Sequence, residues 1–180
     1  MKNKTAGDAL PTEEPAVFLR PLTVDDVGPY YDLVDRNRQH LTRHGDYESF
    51  RHATLDDLRT HLAEASGNVR LGVWLEGELI GRIDLNPINP PRWVIGYWLD
   101  ERLTGKGLMT TACRAAIGHA SALGALELYA GVTHGNERSV RLLQRLGFEH
   151  IQDVDGRSRW RLPMTPDAPP PFMVTEEELA

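Results

Sequence analysis

Cysteine is nearly missing from this chain of 180 residues, which has only Cys113, so no internal disulfide can form and a reducing compartment suits it. No apolar run approaches the length of a membrane span. The opening MKNKTAGDALPTEE has no hydrophobic stretch of the kind a secretory signal carries, so a cytoplasmic location is expected. Positive charge is not in surplus. Twenty Lys and Arg against 26 Asp and Glu leave a formal net charge of −6, which speaks against general nucleic-acid binding and is compatible with a cationic substrate. A Walker-type GxxxxGK followed by Ser or Thr is absent. The dinucleotide pattern GxGxxG is absent too, because Thr110 follows Gly105 and Gly107 where the third glycine would stand. No metal site, internal repeat or domain boundary is expected.

What is present is ordinary in amount, with 41% hydrophobic and 26% charged residues, and is enough for one domain with a substantial core. Residues 1–15 read as a flexible segment, 16–163 as the folded domain, and 164–180 as a flexible, proline-rich and then acidic tail. Val17–Leu22 reads as a first strand. Thr23 with Asp26 resembles a capping box ahead of a helix that runs to about Leu41, with Val27, Tyr30, Tyr31, Val34 and Leu41 inward and Pro29 near its start. Residues 42–53 form a polar and aromatic loop. Thr54 caps a second helix with Leu55, Leu58 and Leu62 on one face, ending near Gly67. Strands at 69–75 and 78–86, joined by Glu76-Gly77, make an antiparallel hairpin, and a proline-rich link leads to a strand over 92–99. A helix over 107–123, a strand over 126–132, a helix opening at Asn136 and a last strand around 157–163 complete the order. Gly147 and Phe148 read as the Schellman end of the last helix. Cys113 falls among apolar helix positions and reads as a small buried residue rather than a nucleophile.

The most informative stretch is WVIGYWLDERLTGKGLM, from Trp93 to Met109. A β-prone run ends at Leu99, a short polar link follows, and Gly105-Lys106-Gly107 leads straight into helical spacing. Helix-start amides have no internal partners, the macrodipole is positive there, and glycine lets a phosphate approach the backbone. Taken alone, the glycine pair is equally a plain tight turn.

Three motifs in order make the chain resemble the GNAT superfamily of acyl-CoA-dependent N-acyltransferases over roughly residues 16–163. The first is Arg102-Leu-Thr-Gly105-Lys-Gly107, similar to that superfamily's phosphate turn. The second is Ile95-Gly96-Tyr97-Trp98-Leu99 just before it. The third is Asn136-Glu-Arg-Ser139 followed by Leu146-Gly147-Phe148-Glu149, which resembles the RimJ/RimL branch, whose members acetylate protein N-termini. After Glu149 the chain departs from the branch, in a region that can shape the acceptor side.

The resemblance implies an α/β (α+β) fold: a mixed, mostly antiparallel central sheet with a splayed strand pair, flanked by helices. It implies an enzyme that moves an acetyl group from acetyl-CoA to a protein N-terminus, a peptide or a small amine, acting as monomer or homodimer, with no nucleic acid or membrane partner. A non-catalytic acyl-CoA-binding module is the remaining alternative. Backbone amides of Gly105, Lys106, Gly107, Leu108 and Met109 would hold the pyrophosphate, with side-chain donors from Arg102 and Thr110. Trp98 and Leu99 would flank the cofactor arm, and a bulge near Tyr97 and Trp98 would aim an amide at the acetyl oxygen. Asn136 is a helix N-cap and by resemblance also a contact to the arm. Ser139 is either a first-turn serine or, by resemblance, the proton donor to the leaving thiolate. The general base stays open between Glu149, His134, Asp84, Glu48 and water. Tyr30, Tyr31, His40, His44, Tyr47 and Phe50 surround the expected acceptor groove, where Asp46 and Glu48 would attract a cationic amine.

Overall fold

The computed structural model describes residues 9–64, 67–166, 168, 170 and 171. Its centre is an eight-stranded sheet in the order β1-β2-β3-β4-β5-β6-β8-β7. The strands are β1 (Leu10–Pro11), β2 (Val17–Pro21), β3 (Val69–Leu75), β4 (Glu78–Asn89), β5 (Arg92–Leu99), β6 (Glu127–Thr133), β7 (Glu149–Val154) and β8 (Arg157–Pro163). Every neighbouring pair is antiparallel except β5–β6. Four helices cover it: α1 (Val27–Leu41), α2 (Leu55–Ala63), α3 (Leu108–Ala122) and α4 (Glu137–Arg145).

Strand alternation sends neighbouring residues to two cores. On β5, Trp93, Ile95 and Leu99 pack into the core that includes α3 and α4, whereas Trp98 joins the core under α1 and α2. On β3, Leu71 and Val73 go the first way and Trp74 the second. The small side chains Ala112, Cys113, Ala116 and Ala120 let α3 lie close on the sheet. Cys113 is fully buried, and burial pushes its thiol pKa up, so it is packing and not a nucleophile.

Local signals place the elements. In the β3–β4 turn both Glu76 (φ 50°) and Gly77 (φ 88°) are left-handed, the twist that a two-residue hairpin needs. Thr54 Oγ1 accepts from the Asp57 amide at 3.2 Å, and Asp57 Oδ2 accepts from the Thr54 amide at 2.8 Å. Such a cap stabilises α2 by about 1 kcal/mol. At the end of α4, the Phe148 amide reaches the Leu143 carbonyl (3.0 Å) and the Gly147 amide reaches Gln144 (3.1 Å). That is the Schellman pair expected from Gly147-Phe148.

Four differences have physical causes. Leu10–Pro11 forms a short strand on β2 inside the segment read as flexible, while residues 1–8 and 172–180 lie outside the described residues. A separate strand, β7, precedes β8, held by pairing that its mostly polar sequence does not announce. A single-turn 3-10 helix, Val24–Asp26, comes before α1, whose inward face is Tyr30, Leu33, Val34, Asn37 and Leu41, with Val27 and Tyr31 only half-buried. The β4–β5 ladder runs in regular register from Gly81↔Leu99 to Pro87↔Trp93, so there is no bulge at Tyr97 or Trp98.

Candidate active site

The parallel β5–β6 pairing covers only Arg92↔Glu127, Trp93↔Leu128 and Val94↔Tyr129. Beyond Val94 the strands part, and the facing edges of Ile95–Leu99 and of 130–133 have no ladder partner in each other. The closed end is fixed by Glu127, whose side chain has no exposed surface. Its carboxylate meets Arg92 at 2.7 Å and Arg161 at 2.6 Å, and accepts a hydrogen bond from the Tyr129 hydroxyl at 3.2 Å.

At the open end is a cleft of about 700 Å³. One wall is the turn and helix start of Gly105, Gly107, Leu108, Met109 and Thr110, another is Asn136–Ser139 with Arg141 and Arg145 of α4, and a third is His40–Tyr47. Trp98 and Leu99 line its floor. The expected cofactor residues Trp98, Leu99, Gly105, Gly107, Leu108, Met109, Thr110 and Asn136 therefore come together, with Ser139 beside them.

Gly105 (φ +79°) and Gly107 (φ +81°) need the left-handed conformation, and nothing lies within 4 Å of where a Cβ would stand on either. The Thr110 and Thr111 amides turn back to the Gly107 carbonyl, which leaves the amides of 105–109 without an acceptor among the described residues. A turn of bare, outward amides at a helix N-terminus fits a pyrophosphate. Asn136 caps α4, its Oδ1 accepting from the Ser139 amide at 3.3 Å. The Tyr97 hydroxyl crosses from β5 and donates to the Ser139 carbonyl at 3.4 Å. Burial raises the Tyr97 pKa, so the phenol stays protonated.

Arg102 departs from expectation. Its guanidinium is 2.6 Å from Asp100 Oδ2 and 3.2 Å from Glu78, and it does not line the cleft. These ion pairs tie Arg102 to its own turn. Lys106 is exposed and also outside the lining. Positive charge comes instead from Arg138, Arg141 and Arg145, one face of α4 at helical spacing, with Arg138 donating to Thr104 Oγ1 at 3.0 Å. The periodicity of these three arginines was legible but is masked by the apolar positions between them.

α1 grips the same turn. Arg36 meets Asp100 at 2.8 Å, Asn37 Oδ1 accepts from the Glu101 amide at 2.9 Å, and Arg43 meets Glu101 at 2.6 Å. Half-buried His40 lies 3.6 Å from Glu101, with burial lowering its pKa against the pull of that carboxylate.

The base candidates scatter. Glu48 is paired with Arg51 at 2.7 Å outside the cleft. Asp84 is paired with buried Arg82 at 2.6 Å, beside the Tyr30 hydroxyl. His134 is exposed against Asp153 at 3.2 Å, and Glu149 is exposed on the edge strand β7. None of the four lines the cleft. Asp46 does, bound by the Thr133 hydroxyl at 2.6 Å. Tyr30 and Phe50 are core, packed on Trp98 at ring separations of 6.4 Å.

Comparison with known proteins agrees with this architecture. The family described as "Acetyltransferase (GNAT) domain" matches residues 16–149. The "Putative ribosomal N-acetyltransferase YdaF" of Bacillus subtilis (strain 168) is 28% identical over 73% of this chain and 77% of its own. The ribosomal-protein-serine acetyltransferase of Escherichia coli (strain K12) is 31% identical over 62% of this chain and 66% of its own. Among solved structures, RimL, a ribosomal-protein alpha-N-acetyltransferase in complex with coenzyme A, superposes with a TM-score of 0.76 at 18% identity, covering 87% of this chain and 98% of that one. A family match over most of the folded residues, on a sheet that opens where a cofactor would enter, leaves one assignment: this chain belongs to the GNAT acetyltransferase family.

Proposed function

We propose that the chain transfers an acetyl group from acetyl-CoA to the N-terminal α-amino group of a protein or peptide in the cytoplasm. The observation that carries the cofactor half is the parting of β5 and β6 beside a turn of unpartnered amides at the start of α3. When bound, acetyl-CoA supplies an acyl thioester. Gly105, Gly107, Leu108 and Met109 offer amides to its pyrophosphate, with Arg138, Arg141 and Arg145 supplying charge, each charged hydrogen bond being worth about 1.5–3 kcal/mol. The free edge of Ile95–Leu99 offers hydrogen bonds to the extended arm. Ser139 stands at the N-terminus of α4, where the dipole stabilises negative charge, and its hydroxyl donates to the leaving sulfur.

The acceptor half rests on the relatives named for ribosomal proteins. An α-amine, with a pKa near 8, retains a useful neutral fraction near pH 7, whereas a lysine side chain is about two to three units more basic. A second reading, a polyamine-like small amine, is favoured by one relative, the spermine/spermidine N(1)-acetyltransferase of Bacillus subtilis (strain 168), 30% identical over 47% of this chain and 62% of its own. The test is thiol release with acetyl-CoA across peptides with free and blocked N-termini and across polyamines, with products read by mass spectrometry. Acetylation of free N-termini alone supports the reading. Acetylation of polyamines alone replaces it.

A further inference from the structure

We propose that Asp46 is the group that takes the proton from the incoming amine. The inference rests on the acetyl-transfer reading above. Asp46 and Tyr47 lie over the mouth of the splayed pair. Asp46 Oδ1 accepts from Thr133 Oγ1 at 2.6 Å, at the open end of β6. The next residue, Tyr47, donates its hydroxyl to the Tyr97 carbonyl at 3.3 Å, at the open end of β5. The carboxylate is therefore held at the β6 lip of the gap, next to a tyrosine bonded to the β5 lip, and it lines the cleft. An amine approaching the gap from the side of the α1–α2 loop passes it.

The carboxylate is oriented and still has capacity. Thr133 fixes Oδ1, and Arg157 of β8 stands 3.6 Å from the same oxygen. Oδ2 makes no hydrogen bond with a described residue, and the side chain is 26% exposed. Other charged or titratable groups lining this end are His40, Arg43, His44, Tyr47 and Tyr97. Arg43 and His40 face Glu101. The two phenols have pKa values raised by burial and cannot serve as bases near neutral pH. His44 has no hydrogen-bond partner among the described residues to aim it, and exposed Glu137 sits on the first turn of α4.

The step balances. The amine nitrogen bonds to the acyl carbon, and the C–S bond breaks with its electron pair on sulfur. The nitrogen, cationic as its new bond forms, is then far more acidic than the free ammonium, so a carboxylate is basic enough. Its proton passes to Asp46 Oδ2 and on to solvent, and sulfur receives a proton from Ser139 or solvent.

The test is Asp46→Asn in the full chain, assayed with a free-N-terminus peptide at saturating concentration. The amide oxygen keeps the hydrogen bond from Thr133 but has no basicity. The expected result is a fall in kcat of about 100- to 10,000-fold, with calorimetric acetyl-CoA affinity unchanged as proof of folding. In Asp46→Gly, added formate should restore turnover in proportion to its concentration, while formate should leave Thr133→Val unchanged. Wild-type kcat in Asp46→Asn, or a loss confined to acceptor KM, overturns the inference. A wild-type enzyme that acetylates no amine overturns the acetyl-transfer reading itself, which separates the two failures.

Discussion

Arg92 and Glu127 face each other, 2.7 Å apart, at the first register pair of β5 and β6, two residues before the last pair of that ladder. The ion pair closes the narrow end of the opening that forms the cleft. With Arg161 on the other side, a buried carboxylate is matched by two guanidinium groups, one from each neighbouring strand.

Removing one partner of such a cluster leaves uncompensated buried charge. Glu127→Ala should cost about 3–5 kcal/mol, read as a shift of the urea midpoint, and should weaken acetyl-CoA binding as the strands lose their common anchor. A variant with the wild-type midpoint would show that the cluster does not hold the sheet.

The cradle prediction turns on backbone conformation. Val at both Gly105 and Gly107 meets a left-handed φ at each site, costing about 1–3 kcal/mol apiece, and adds side chains before the amides. Acetyl-CoA binding should fall below calorimetric detection while the far-ultraviolet circular dichroism stays native. Undiminished binding would falsify the cradle.

Charge on α4 is separable from the turn. Arg141→Gln and Arg145→Gln should each raise KM for acetyl-CoA about tenfold, the lower end of a charged hydrogen bond, with kcat little changed. The double variant should also lose most of the salt dependence of KM. Equal KM values at low and high salt in the wild type would remove these arginines from phosphate recognition.

Ser139→Ala should lower kcat about 10- to 1000-fold if its hydroxyl assists the leaving sulfur, without changing acetyl-CoA affinity, because the cap bond from Asn136 uses the Ser139 backbone amide. Steady-state and single-turnover rates decide it, and wild-type turnover reduces Ser139 to a helix residue.

Asp100 ties stability to pH. Burial alone would raise its pKa, but hydrogen bonds from Arg102 and Arg36 outweigh burial and hold it at about 2, against an ordinary 3.8. Its ion pairs therefore contribute fully above the ordinary value and are lost as pH falls from about 4 to about 2. Asp100→Asn should be less stable than wild type near neutral pH, and the gap in urea midpoints should close across that acidic interval. A gap of constant size would mean that charge plays no part.

Features written locally were legible. The left-handed turns at Gly77 and Gly105, the Thr54 cap and the Gly147 stop each depend on a few adjacent residues, and each forms as the sequence implies. The meeting of Gly105, Asn136 and Ser139 was legible only through the resemblance. What could not be read were contacts between distant segments. Asp46 finds Thr133 across 87 positions, and Glu127 finds Arg92 and Arg161 from separate strands. That Arg102 would meet Asp100 and Glu78 rather than line the cleft was not written in its spacing from Gly105. The α4 arginines sit between leucines that dominate the helical pattern.

The grip of α1 on Asp100 and Glu101 bears on how this scaffold can be altered. The helix that anchors the Asp100–Gly107 turn is also the helix from which the Asp46 loop departs. The exposed positions Glu48 and Ser49 can be exchanged to broaden or narrow acceptor scope while Asp46 and Tyr47 keep their bonds to Thr133 and Tyr97 and Arg36, Asn37 and Arg43 keep the turn in place. A change that rotates α1 itself would move the glycine turn and the Asp46 loop at once, so a library built to retarget this enzyme should hold α1, Asp46, Tyr47 and Phe50 constant and vary only the exposed loop positions between Tyr47 and Phe50.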